Sequence, residues 1–472
     1  MTISLGPPRT TAAPHRLLLP LLAFCQLIVA VDYNIVLVAL PEMKDAVGFS
    51  ASGLQWVVSA YALAFGGALL FAGRFTDLYG RRLGMLLGLG LYGAGSVLAA
   101  VATGPELVLV GRVAQGLGGA LLTPSVLATI FAAFPEGPAR FRAIAVWSGA
   151  GGVGLAAGSA LGGLLTSTFG WEAVFLVNVP LVLIALAGAL LAMPADPRTP
   201  SRGSLDVPGA VLATLGSVAI VFALAEGPVQ GWLSPSVLAG AAVGIAAVGA
   251  FVAVERRTAE PLLPLGLLRG RHLPLTLAAM MLFLGSIGTT YYIFTIYLQD
   301  VLGESAFVTG LAFLPWGIAG IAGSRVAQAA LGRLGIAGTL LSGMLVGAVA
   351  TGGLALSLRP DGSLWTVILW TVLLALGQAM GFASLFAAAA VGVAPAHQGV
   401  TSALLSTFQQ IGNAAGLAVL GGLAVALATR DGAASTAATA WGLQVASGTG
   451  AALLLAGAVI ALAMRRSAQA SG

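Results

Sequence analysis

Residues 54–102 contain two long apolar runs separated by a short charged loop, in the order LQWVVSAYALAFGGALLFAGRFTDLYGRRLGMLLGLGLYGAGSVLAAVA. Each run, 54–73 and 84–102, is about 20 residues long, the length that a helix needs to cross the ~30 Å hydrocarbon core of a bilayer. Neither run alternates apolar and polar residues, as a strand of a membrane barrel would. Because only helices and closed barrels satisfy their backbone hydrogen bonds in lipid, the stretch predicts two membrane-spanning helices joined by a turn.

Similar runs recur along all 472 residues of the chain, of which 58% are hydrophobic and 8% charged. Soluble domains carry about 25% charged residues, so a soluble fold could not bury this much apolar surface. The apolar segments number fourteen, at 17–40, 54–73, 84–102, 106–130, 143–165, 174–193, 207–225, 235–254, 274–298, 308–328, 337–357, 364–391, 402–428 and 442–464. The sequence therefore predicts an all-α polytopic membrane protein with 14 transmembrane helices, and its 66 glycines favour close helix packing.

The basic residues give this arrangement an orientation. Of the 21 Lys and Arg residues, 17 lie in the segments on the N-terminal side of the membrane, three lie on the other side, and one lies inside a span. Cytoplasmic loops are enriched in Lys and Arg, so both termini are expected in the cytoplasm. Arginine outnumbers the single lysine, Lys44, in a chain rich in Ala and Gly, which is typical of GC-rich bacteria. We therefore expect a multi-pass protein of a bacterial inner (plasma) membrane.

Two connections are longer and less hydrophobic than the others, 194–206 and 255–272, and both are rich in Pro and Arg. They bracket the seventh and eighth spans. This spacing predicts an N-terminal six-helix bundle at 1–193, cytoplasmic linkers with two inserted transmembrane helices at 194–273, and a C-terminal six-helix bundle at 274–472.

Two charged residues, Asp32 and Arg112, fall well inside spans, where a charge costs about 2.5–3.5 kcal/mol and therefore usually marks function. Asp32 either binds a coupling proton, since burial of a carboxylate disfavours its charged form, or is a fixed counter-ion. Arg112 shares one helix face with Gln115, Gly119 and Thr123. It either responds to the protonation of a nearby carboxylate or fixes the bundle by bonding backbone carbonyls.

The loop at 73–82, called the signature loop below, carries Asp77 between glycines and arginines. Asp77 could form a gate-locking ion pair on the cytoplasmic side, or the arginines could be ordinary topogenic charges. The spacing of Gly73, Asp77, Gly80, Arg81 and Arg82 resembles the signature loop of the major facilitator superfamily, which favours the gate.

Other segments resemble the fourteen-span drug:proton antiporters of that superfamily. They are residues 31–41 in the first span, Arg112 to Gly116 in the fourth, Gly158 to Gly163 in the fifth, Phe175 to Pro180, Glu255 to Leu263, and Tyr297 to Gly303. The resemblance implies the major facilitator fold and a proton as coupling ion, with no other cofactor. It also implies a helix-packing antiporter motif, here made of Gly154, Gly158, Gly162 and Gly163.

The chain departs from the family pattern at several positions. Asn34 stands where the family has Thr and Leu37 where it has Asn, so contacts of the first span with substrate or cation are expected to differ. Ser159 replaces a proline of the antiporter motif, which removes a helix breaker. Glu172 and Ala173 replace the usual Arg and Trp. The second half keeps only Arg333 and Gly335 of a second signature loop.

The candidate substrate-binding residues are aromatic or amide-bearing side chains that two bundles could direct into a shared cavity. They are Asn34, Gln115, Tyr291, Tyr292, Thr295, Gln378, Phe382, Gln409 and Asn413. Polar side chains also bond helix to helix, and aromatic ones also lie at membrane interfaces, so each has a structural alternative.

The expected function is proton-coupled export of amphipathic drugs or antibiotics, with a small amphipathic substrate, protons and the lipid bilayer as partners of a monomer. A dedicated exporter of one self-made secondary metabolite is the alternative, followed by a non-transporting membrane sensor. The basic residues form no continuous face, which argues against nucleic acid. No nucleophile–base set is visible, the histidines are isolated, and Cys25 is the single cysteine, so neither an enzyme nor a metal site is expected.

Overall fold

The computed structural model describes residues 16–49, 56–193, 206–259, 261–304, 306–394, 397–428 and 435–470, and these ranges are almost entirely helical. The long helices are α1 (Leu18–Val47), α2 (Trp56–Tyr79), α3 (Arg81–Ala100), α4 (Pro105–Ala133), α5 (Pro138–Phe169), α6 (Ala173–Ala192), α7 (Val207–Gln230), α8 (Pro235–Glu255), α9 (His272–Ile296), α10 (306–334), α11 (336–357), α12 (Leu364–Ala389), α13 (Gln398–Ala428) and α14 (Thr436–Ala470).

Helices α10 and α11 form a continuous run of 52 residues, Ala306–Ser357, broken only at Gly335. At 1.5 Å per residue such a run is about 78 Å long, more than twice the thickness of a bilayer core, so it must cross twice. Gly335 adopts φ 69° and ψ −178°, a conformation that glycine reaches without a Cβ clash, and it reverses the chain there. With this division and the bent helix α5, the described helices agree with the fourteen predicted spans.

The structure differs from the sequence prediction at several helix ends and in one connection. Helix α1 continues past residue 40 to Val47 and ends at Gly48, whose φ of 85° allows its N–H to bond the Lys44 carbonyl. The connection after α8, predicted to be a polar linker, instead buries Leu262 and Leu263 against the helices. Apolar residues inside a polar segment can be drawn into the core by tertiary packing, which local hydropathy does not register.

The first six helices and the last six form two bundles that meet along a seam, defined here as the contact of α2, α4 and α5 with α10, α12 and α13. The inserted pair, α7 and α8, packs mainly against itself, and α7 also contacts both α2 and α13. The insert therefore covers one side of the seam. The ends at which α2 joins α3, α4 joins α5 and α10 joins α11 are called the arginine-rich ends below.

Candidate functional site

Asp32 and Arg112 form a buried ion pair between α1 and α4, in which Arg112 Nη1 donates to Asp32 Oδ2 at 2.6 Å. The side chains are 0% and 1% exposed. Arg112 Nε also donates to the carbonyl oxygen of Val57 at 2.8 Å, and its Cζ lies 4.4 Å from the centroid of the Tyr61 ring. The guanidinium is thus held by α1, α2 and its own helix.

Amide side chains complete the coordination of the Asp32 carboxylate. Gln115 Nε2 donates to Asp32 Oδ1 at 3.1 Å, and Asn178 Nδ2 of α6 donates to the same oxygen at 2.8 Å. Gln115 also accepts from Arg112 Nη1 at 2.8 Å and donates to Ser96 Oγ of α3 at 2.8 Å. One carboxylate therefore connects α1, α4 and α6, and Gln115 extends the connection to α3.

The arrangement makes the charge of Asp32 important to the whole bundle. Removing one partner of a buried ion pair typically costs about 3–5 kcal/mol, because the other charge is left uncompensated. Loss of the negative charge of Asp32 would leave Arg112 uncompensated in this way.

The glycines of the antiporter motif bring α5 against the same part of α1. A Cβ on Gly154 would lie 2.7 Å from the Cβ of Ala30, and one on Gly158 would collide with the carbonyl oxygen of Val31. Gly162 is buried and Gly163 partly so. Asn34 is used here as well, because its Nδ2 donates to the carbonyl oxygen of Leu155 at 2.8 Å. This contact occupies a side chain predicted to bind substrate.

Several of the other predicted binding residues meet in an aromatic cluster beside the seam. Tyr291 of α9 stacks on Trp316 of α10 with ring centroids 4.2 Å apart. Trp316 Nε1 donates to Gln378 Oε1 of α12 at 3.0 Å. One turn further along α12, Phe382 stacks on Trp147 of α5 at 5.8 Å. Aromatic side chains from both bundles and the amide of Gln378 therefore form one continuous cluster, called the aromatic wall below.

The remaining candidates do not join this wall. Tyr292 lies beside Gly421 of α13, and Thr295 Oγ1 donates to the backbone of its own helix at 2.9 Å. Asn413 of α13 packs against Gly288 of α9, and its Oδ1 is buried. Gln409 is partly exposed on α13.

The signature loop joins the two bundles at their arginine-rich ends, and its residues 73–79 are not a loop as predicted but the last turns of α2. Asp77 accepts hydrogen bonds from the backbone N–H groups of Gly399 and Val400, each at 3.0 Å. The first N–H groups of a helix lack partners within it, so this carboxylate caps α13 and is favoured by the helix dipole. A Cβ on Gly73 would lie 2.6 Å from that of Ala403, which requires glycine for the close approach.

The other residues of the loop shape the turn into α3. Gly80 has φ 101°, which favours glycine, and Arg81 begins α3. Arg82 Nη2 donates to the carbonyl oxygen of Leu190 in α6 at 3.1 Å. The sequence suggested a gate-locking ion pair for Asp77. In the structure its carboxylate accepts hydrogen bonds from the backbone of the opposite bundle, and the charges of Arg74 and Arg81 act on it as well.

Five side chains of these clusters were missed by the sequence analysis: Tyr61, Ser96, Trp147, Asn178 and Trp316. Asn178 lies within a motif that was noted, but nothing in a single sequence indicates that it reaches Asp32, 146 residues away. The tryptophans carried a signal, since both fall inside spans rather than at the interfaces where Trp is enriched.

Comparison with known proteins agrees with this architecture. The family model described as Major Facilitator Superfamily matches residues 22–417. A puromycin resistance protein of Streptomyces alboniger is 37% identical over 403 residues, covering 84% of this chain and 79% of the relative. A cephamycin export protein of Amycolatopsis lactamdurans is 36% identical over 398 residues, covering 83% and 82%.

Among solved structures, the human organic anion transporter MFSD10 superposes with a TM-score of 0.68 over 95% of this chain and 100% of that chain. At 16% identity this likeness concerns the fold alone. The family match and the relatives establish that the chain is a membrane transporter. They exclude the alternatives of an enzyme and of a non-transporting sensor. The chain belongs to the Major Facilitator Superfamily and is related to its antibiotic resistance and export proteins.

Proposed function

We propose that this protein exports an amphipathic small molecule of the antibiotic class across a bacterial plasma membrane, in exchange for protons that bind at Asp32. The observation that carries the proposal is the buried Asp32–Arg112 pair, held at 2.6 Å and coordinated by two amides. The charge placement supports an orientation with both termini, and the arginine-rich ends, in the cytoplasm. The chain is proposed to act as a monomer.

A proton entering the cell supplies enough free energy for this exchange. One charge crossing about 100 mV releases roughly 2.3 kcal/mol, which corresponds to a substrate gradient of about fiftyfold. In the proposed cycle, protonation of Asp32 releases Arg112 and loosens α1 from α4. Because Gly154 and Gly158 pack α5 against α1, and Trp147 of α5 touches Phe382 of α12, the change is passed to the seam.

The aromatic wall supports an amphipathic substrate. Tyr291 and Phe382 are partly exposed and offer flat apolar surfaces backed by the buried Trp316 and Trp147, and the partly exposed Gln378 offers an amide among them. The puromycin and cephamycin relatives are named for single antibiotics, which supports a dedicated exporter as the second candidate, whereas a relative in Mycobacterium tuberculosis, 32% identical, is named a multidrug resistance protein.

Substitution of Asp32 by Asn tests the proposal, because it removes the titratable group and keeps the size of the side chain. In proteoliposomes carrying a pH gradient, we expect Asp32→Asn to lower proton-driven export to the background rate while the protein stays folded in the membrane. Asp361→Asn, an exposed acid between α11 and α12, serves as the control and should transport at the wild-type rate. Full coupled transport by Asp32→Asn would refute the role of Asp32.

The two substrate candidates are separated by the same assay with a panel of antibiotics. A dedicated exporter moves one scaffold, so a single compound would stimulate proton flux. Stimulation by several unrelated amphipathic compounds would indicate multidrug export.

A further inference from the structure

The start of α7 and the end of α8 bring together two acidic side chains that have no part in the cycle above. Asp206 directly precedes α7, Glu255 is the last residue of α8, and they are 5% and 4% exposed. One oxygen of each carboxyl group bonds to the backbone. The Gly209 N–H donates to Asp206 Oδ1 at 2.8 Å, and the Leu263 N–H donates to Glu255 Oε2 at 3.1 Å.

The other two carboxyl oxygens face each other. Asp206 Oδ2 and Glu255 Oε1 are buried and receive no hydrogen bond within the part of the chain that the structure describes. Each lies 2.5 Å from the position that a Cβ on Gly209 would take, so they are separated by no more than twice that distance. Two ionised carboxylates at this separation repel each other strongly when buried, whereas one proton between them supplies a donor to one oxygen and an acceptor on the other.

A buried arginine lies beside this pair. Arg74 of the signature loop is 8% exposed, and its Nε has no hydrogen-bond partner among the described residues. Its charge acts on Glu255 as well as on Asp77 and His397. Arg256 and Arg257, which follow Glu255, are exposed. Within the described ranges, Arg74 is therefore the buried positive charge that acts on the pair and can offset a negative charge there.

We propose that Asp206 and Glu255 form a second proton-binding site, in which the two carboxyl groups share one proton between Asp206 Oδ2 and Glu255 Oε1. The shared proton joins the start of α7 to the end of α8. When it leaves, the pair carries two buried negative charges and attracts Arg74. The charge of Arg74 also acts on Asp77, the carboxylate that caps α13. The site thus links the inserted helices to the signature loop, and its existence does not depend on the role of Asp32 or on the exported compound.

Thermal unfolding of the purified full-length protein between pH 5 and 9, without substrate or gradient, tests the site. The folded pair holds a proton that unfolded carboxyls, with ordinary pKa values near 4, have released. Stability therefore falls as the pH rises from the unfolded pKa values near 4 to the pH at which the folded pair loses its proton, and it levels off above that pH. We expect the wild-type melting temperature to fall by roughly 2 °C or more from pH 5 up to that plateau.

Glu255→Gln replaces the shared proton with an amide N–H and keeps an oxygen for the Leu263 N–H, so it should fold and at least halve this fall. Asp206→Asn should do the same. Glu136→Gln removes a carboxylate that is 78% exposed at the same end and should keep the wild-type pH dependence. Infrared spectra should show a protonated carboxyl band at neutral pH that both amide variants lack.

Three outcomes would overturn the site. The first is a wild-type melting temperature that does not fall with rising pH, and the second is an unchanged pH dependence in both amide variants. The third is failure of both variants to fold, since an amide closely replaces a protonated carboxyl group and would be tolerated if the proton were shared.

Discussion

Single side chains in this protein gain their chemical meaning from the donors around them. Asp32 receives hydrogen bonds from Arg112, Gln115 and Asn178, so its carboxylate is bound by three groups on two other helices. Asp77 is likewise satisfied by backbone N–H groups of α13. Both carboxylates therefore act as fixed points between helices, and a change in the charge of either alters how those helices are held.

His397 provides a residue-scale prediction at the signature loop. It directly precedes α13, and burial lowers the pKa of its imidazole from the ordinary 6.5, with the nearby charge of Arg74 lowering the pKa further. The unfolded chain therefore binds this proton at higher pH than the folded protein does. Stability from this residue is present above pH 6.5 and is lost as the pH falls through and below that value.

His397→Gln removes the titrating imidazole. The melting temperature of this variant should fall less than that of the wild type as the pH decreases from 6.5 to 5, and it should keep the wild-type pH dependence above neutrality. The contribution of His397 to stability rises with pH, whereas that of the Asp206–Glu255 pair falls with pH. The two contributions can therefore be distinguished in one pH series of the variants. An acid limb as steep as that of the wild type would contradict the assignment to His397.

At the scale of helices, small residues decide which surfaces approach. Gly154 and Gly158 of α5 allow backbone contact with α1, and the absence of the family's proline at Ser159 does not remove this glycine face.

The inserted helices show a second feature at this scale, since α7 contacts both α2 and α13. The insert therefore touches both bundles on the side of the seam that it covers.

Gly158→Ala should destabilise the α1–α5 contact, because a Cβ there collides with the carbonyl oxygen of Val31. Overpacking of this kind typically costs about 1–3 kcal/mol. Gly152→Ala in the same helix is the matched control, since its Cβ would meet nothing within 4 Å. Thermal unfolding of both variants checks the prediction, and equal melting temperatures would show that α1 and α5 are not packed as described.

At the scale of the whole molecule, the bundles meet at their arginine-rich ends through the signature loop and near the middle of α2 and α13. The proposed transport cycle requires these contacts to separate. An ideal Cβ on Gly66 lies 3.5 Å from the Cβ of Gln410, within the range that a disulfide spans.

The double variant Gly66→Cys/Gln410→Cys, in a Cys25→Ala background, should therefore form a disulfide on oxidation and lose maleimide labelling. Export should fall to background and return on reduction, because the cross-link fixes one conformation of the seam. The Gly66→Cys single variant controls for oxidation alone. Export at the wild-type rate by fully cross-linked protein would mean that α2 and α13 do not separate during transport.

The sequence by itself determined the class of the protein, the number of its spans and the positions of its intramembrane charges. These properties follow from hydropathy and from the cost of placing charge in lipid, which are local and can be added along the chain. It also supplied the residues of the signature loop and of the antiporter motif, because their spacing is a property of consecutive residues.

Only the tertiary structure decided which side chains share an environment. Asn178 reaches Asp32 across 146 positions, Trp147 meets Phe382 across the seam, and Asp77 caps a helix more than 320 residues away. Glu255 changed most, from one residue of a predicted polar linker to half of a buried carboxyl pair. Such contacts depend on helix rotation and on which bundle faces meet, and the pattern of apolar residues along membrane helices leaves both open because lipid and protein interior are equally apolar.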